Sequence, residues 1–168
     1  MRRLKRIICY AMIIMCCQVV MPVGAVTEGQ ENAIKDHCDT IKESLRLVQR
    51  DDSRARVYLG GYYENILTKY ITPLNVKLVE SNLSNASFVE NQNKFATTRG
   101  AFATDFVNYQ KGLEELTQMD CKVEPGKFYE KLVSVRKKRK VVEQDVKKMR
   151  EIITEHVKLV EDLRKDLQ

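Results

Sequence analysis

The chain has 168 residues, with 29 Lys and Arg against 23 Asp and Glu, a formal net charge of +6, and no tryptophan. It contains only seven glycines and three prolines. β-Branched runs with strand-like alternation are absent, which argues against an all-β fold and points to helices.

The first 25 residues read as an export signal. Arg2, Arg3, Lys5 and Arg6 form a basic start, Ile7 to Met21 is almost continuously apolar, and Val23-Gly24-Ala25 supplies the small residues a signal peptidase accepts. Cleavage after Ala25 is expected. The alternative is an uncleaved anchor, although Gln18 and Pro22 make residues 7–25 a weak membrane span. Either way the remainder is expected outside the cytoplasm (extracellular, cell-surface or periplasmic), with membrane contact only through this segment if it is kept. Removing it takes away four basic residues and no acids, leaving 25 against 23, net +2. The basic balance of the whole chain is therefore largely a targeting feature. What survives is asymmetry, because residues 127–150 hold ten basic and three acidic side chains. The remaining residues, 26–168, suit a single domain.

Cys38 and Cys121 are the only cysteines after residue 25, and two cysteines in an exported chain are expected to form one disulfide. The alternative is two unpaired small apolar side chains.

Three helices are predicted. Ile34, Cys38, Ile41, Leu45, Val48, Asp52, Ala55, Leu59, Tyr62 and Ile66 keep one heptad phase, which predicts a first helix over 31–72, bent at Pro73 and continuing over 74–82. A turn follows, and Ser87 with Glu90 reads as a capping box opening a second helix over 87–119. Phe88, Phe95, Phe102, Tyr109 and Leu116 fall seven apart along it, with Gln92, Arg99, Phe106 and Leu113 between them. Pro125 fits the first turn of a third helix over 126–167, whose seam from Phe128 to Leu167 is interrupted only by Arg139 and His156.

The simplest up, down and up order is an all-α, elongated antiparallel three-helix coiled-coil bundle, and it brings Cys38 and Cys121 to one end. At 1.5 Å per residue Asp52 and Arg139 both lie roughly 20 Å above that end and are expected to pair as a seam ion pair. The alternative is that each snorkels separately to water. Gly60-Gly61 and Arg99-Gly100 share one level, where small residues would let two helices approach. Tyr58, Tyr62, Tyr63 and Tyr70 are expected to pack in the core rather than to line a cleft.

The catalytic inventory is short. His37 and His156 are the only histidines and fall near opposite ends. A di-iron bundle needs Glu-x-x-His, and Ile34 and Ile153 occupy the required positions. No glycine-rich phosphate loop or nucleophile elbow occurs. No catalytic residue, cofactor or metal site is expected, and an enzyme is the least favoured class. Arg136, Lys137, Lys138, Lys140, Lys147, Lys148 and Arg150 are candidate anion-binding residues. Five consecutive basic residues turn through about 500°, so they cannot form one flat patch. The region also lacks interleaved aromatics for stacking bases, which argues against nucleic acid.

The stretches SRARVYLGGYYENILTKYITPLN, 53–75, and MDCKVEPGKFYEKL, 119–132, resemble a group of small, exported, uncharacterised proteins from candidate-phylum bacteria of the Saccharibacteria type. The resemblance implies a bacterial, non-cytoplasmic setting and helical content, and it carries no activity or binding residues. The function expected is that of an exported, non-enzymatic structural or protein-interaction bundle of the cell envelope or exterior, meeting an unknown protein partner or a second copy of itself. The alternative is a module that binds anionic polymers (envelope polymer, lipid headgroups or extracellular nucleic acid) through residues 127–150.

Overall fold

The computed structural model describes residues 26–168, so the predicted signal segment lies outside the described residues. Among the described residues the only regular elements are helices, with no strand. α1, Glu28–Asp36, starts three residues earlier than predicted because Thr27 and Gln30 cap it reciprocally. The Thr27 hydroxyl accepts from the Gln30 N–H, and the Gln30 side-chain oxygen accepts from the Thr27 N–H. His37 leaves helical geometry (φ −108°, ψ 15°) and separates α1 from α2, Cys38–Ile66. Asp51-Asp52-Ser53 and Gly60-Gly61 sit inside α2 without interrupting it.

The bend expected at Pro73 is instead a π-helical turn, Leu67–Ile71, leading into α3, Thr72–Glu80. Proline removes one N–H and its ring crowds the carbonyl four residues back, here that of Lys69. The widened turn avoids the clash, with the Thr72 N–H donating to the Leu67 carbonyl five residues back. α3 closes in a Schellman arrangement, in which Leu83 N–H donates to Leu78 and Asn82 N–H to Val79. Asn82 takes the left-handed conformation that this ending requires, φ 55°.

α4, Ala86–Gln118, starts from Asn85 with no side-chain cap. The capping box predicted from Ser87 and Glu90 does not form, because Ser87 already lies within the first turn and Glu90 pairs with Lys94 at 2.9 Å. α5, Pro125–Asp166, carries Pro125 in its first turn, where the missing N–H costs nothing.

α4 runs antiparallel to both of its neighbours. Along α2, Lys42 meets Met119, Asp52 meets Tyr109, and Tyr63 stacks edge-on against Phe95 and Phe102. Along α5, Lys131 meets Glu115 and His156 meets Asn91. The α4–α5 interface is the most extensive, whereas α2 and α5 make no comparable backbone approach. The core is Phe95, Phe102, Phe106, Tyr109, Leu113 and Leu116 of α4, packed with Phe128, Val135, Met149 and Ile152 of α5 and with Cys38, Tyr63 and Ile71. Removing each such side chain from water contributes about 1.5–3 kcal/mol.

One end is closed by the Cys38–Cys121 disulfide, Cα to Cα 5.6 Å. Lys122 pairs with Asp39 at 2.7 Å, and Lys42 Nζ donates to the Met119 carbonyl at 3.1 Å beside it. The Asp120 carboxylate accepts from the Lys122 and Val123 N–H groups, which shapes the loop that presents Cys121.

Three expectations are corrected. Tyr63, not Tyr62, is the buried tyrosine of α2, at 1% against 47% exposed. Tyr58 and Tyr70, expected in the core, are also exposed. The glycines at 60, 61 and 100 do not mark a close approach, since a methyl added at any of them would meet nothing within 4 Å. Close approach occurs at Gly112, where an added methyl would stand 3.2 Å from Val135.

Candidate functional site

About a third of the way up from the disulfide end, Asp52 of α2 is held by both of the other long helices. Arg139 donates to it from Nε at 3.1 Å and from Nη2 at 3.2 Å, and the Tyr109 hydroxyl donates at 2.7 Å. Burial, followed by the bond to Asp52, pushes the Tyr109 phenol well above its ordinary range, so Tyr109 stays a donor. The hydrogen bond to Asp52 likewise holds the Arg139 guanidinium charged. The grouping ties α2, α4 and α5 into one register.

The candidate anion-binding side chains divide. Lys138 leans on α4, its Nζ 3.4 Å from the Asn108 carbonyl, and so is not a free cation of the outer face. Lys147 stands 3.8 Å from Glu151, both well exposed, a pairing of little energetic weight. Arg136, Lys137, Lys140, Lys148 and Arg150 make no ion pair among the described residues. Arg136, Lys137, Lys140 and Lys148 spread over about 120° of the outer side of α5, a broad cationic face rather than a pocket, whereas Arg150 turns toward α2.

The feature that sequence reasoning missed is a groove. Because α2 and α5 are held apart on opposite flanks of α4, three clefts line up between them. The lowest, about 270 Å³, includes Asp52, Leu59, Phe106, Val146 and Arg150. The next, about 460 Å³, includes Tyr58, Leu59, Tyr62, Tyr63, Arg150 and Ile153. The uppermost, about 570 Å³, includes Ile66, Tyr70, Leu74, Ile153, Val157 and Val160. The lower two share Leu59 and Arg150 and the upper two share Ile153, so the three lie end to end as one channel along the α2–α5 seam. Its walls expose large apolar side chains, with Tyr58 at 73%, Tyr70 at 67% and Val157 at 51%.

At the upper end His156, which lines the channel, belongs to a buried polar cluster. His156 Nδ1 lies 3.1 Å from Asn91 Oδ1, and Asn91 Nδ2 donates to the Ile152 carbonyl at 3.0 Å. Phe88 stacks edge-on against the imidazole. A second knot joins Asn75 to Gln92 and to the Phe88 carbonyl, with Gln92 donating to Thr72. His37 is exposed at the opposite end, away from His156. Among the described residues no group of three or more His, Cys, Asp or Glu is placed to hold a metal ion.

Burial lowers the pKa of His156 below its ordinary 6.5. The folded state then holds the imidazole neutral, while the unfolded chain takes up a proton near pH 6.5. Stability is complete above that value and is lost as pH falls toward the lowered one. Thermal melts from pH 7.5 to 5 are expected to show this acid-side loss in the native protein and a smaller loss in His156→Gln. Equal pH dependence in the two would refute the assignment.

No family model, curated protein or solved structure matches the chain.

Proposed function

We propose that the chain is an exported, non-enzymatic protein-interaction bundle of the cell envelope or exterior, its helices forming an antiparallel three-helix coiled coil. The observation that carries this reading is the channel between α2 and α5, an exposed, largely apolar surface running much of the molecule's length. The basic start, apolar run and Val23-Gly24-Ala25 support export, and the disulfide suits an oxidising setting. A second reading, binding to anionic polymers, is favoured by the unpaired Arg136, Lys137, Lys140 and Lys148 on the outer side of α5.

One experiment separates the two. Immobilised protein is exposed to envelope and medium fractions, alongside a channel variant, Val157→Glu, and an outer-face variant with Lys137, Lys140 and Lys148 changed to Gln. The interaction reading expects specific proteins to be lost from the channel variant alone. Loss only from the outer-face variant, with elution by moderate salt, would replace it with the polymer reading.

A further inference from the structure

We infer that the channel takes a single amphipathic helix from another protein, with an apolar face and acidic flanks. This rests on the interaction reading and names the partner's chemistry. From Asp52 to Lys77 one wall is about 37 Å long, and from Arg139 to Glu161 the other is about 33 Å. Both walls are helices running in the same direction, and Phe102, Phe106 and Tyr109 of α4 floor the lowest cleft, so a fourth helix of about 22 residues would complete a four-helix arrangement. Among the described residues no strand edge is present to receive an extended peptide, which leaves helix-in-groove docking as the matching mode.

Charge selects the flanks. Apart from the Asp52–Arg139 pair, the lining carries Arg56, Lys69, Lys77, Lys147 and Arg150 against Glu143 and Glu161, five minus two, net +3. Residues 1–25 carry four basic and no acidic side chains, so they match the lining in sign and are disfavoured as occupant. A second copy fits no better. Its one markedly acidic helix, α1, is only nine residues long, and its own channel lining carries the same net positive charge.

The test uses purified disulfide-bonded protein and two labelled peptides of about 22 residues, with leucine at helical spacing and either glutamate or lysine on the flanks. Fluorescence anisotropy is expected to show the glutamate peptide binding at least about tenfold more tightly than the lysine peptide. Val157→Glu, at an exposed position, should weaken the glutamate peptide at least about tenfold with an unchanged melting temperature. Lys69→Glu with Arg150→Glu should shift the preference toward the lysine peptide. Equal affinity for both peptides, or binding indifferent to Val157→Glu, overturns the inference. So does sedimentation showing a dimer that Val157→Glu dissolves, because the occupant is then a second copy. If the fractions yield channel-dependent proteins while the glutamate peptide fails to bind, the interaction reading stands and only this inference falls.

Discussion

Replacing Cys38 and Cys121 together by alanine is expected to lower the unfolding free energy by up to about 4 kcal/mol, measured from denaturant midpoints at constant slope. The bond joins positions 83 apart in sequence, so it closes a loop containing α2, α3 and α4. Its loss returns to the unfolded chain the freedom of nearly the whole first two-thirds of the described fold. Against a typical total of 5–15 kcal/mol this is a large share.

The closed end has little else of comparable weight. Lys122–Asp39 is exposed on both sides and, as a surface ion pair, contributes little. Lys42 to the Met119 carbonyl is a single hydrogen bond, worth about 1 kcal/mol. Hydrogen exchange in the double variant is therefore expected to quicken first in α1 and in the 119–124 loop, while amides around Phe95 and Met149 keep their protection. Identical midpoints for the two proteins would show that these minor contacts hold the end unaided.

Heptad spacing reads most clearly where a helix packs on a neighbour over its whole length. Phe88, Phe95, Phe102, Tyr109 and Leu116 are all buried at their seven-residue intervals in α4, which has partners on two sides. Counting 1.5 Å per residue from the disulfide places Asp52 and Arg139 at one level, where they meet at 3.1 Å. α2 misleads because it packs closely along one side only. Its heptad list named an apolar stripe but not which part of the stripe a partner covers, and Val48 and Tyr62 are left exposed. Nothing in the spacing alone states that α2 and α5 stand apart, so the channel was not legible. The polar residues of the upper end were hidden for a related reason. Asn91 and Asn75 look like surface residues, and only the backbone carbonyls and His156 around them account for their burial.

The second large effect tests this one-residue shift. Tyr63→Ala is expected to cost about 3 kcal/mol, and Tyr62→Ala less than about 1 kcal/mol, in matched denaturant titrations. At 3.6 residues per turn, Tyr63 is just under seven turns above the buried Cys38, whereas Tyr62 is displaced by about 100°. A strict heptad slips about 20° per repeat on a straight helix, so over the length of α2 the covered position moves to the next residue. The π-turn then adds one residue more, putting Ile71 rather than Tyr70 on the core face. The void left by Tyr63→Ala would open into the middle cleft, which Tyr63 helps to line, so water can enter it. That places the cost near the lower end of the range for large aromatic truncations, still well above that of Tyr62. Equal costs for the two tyrosines would mean that α2 meets α4 along the uncorrected heptad stripe, and the walls of the channel would then be misplaced.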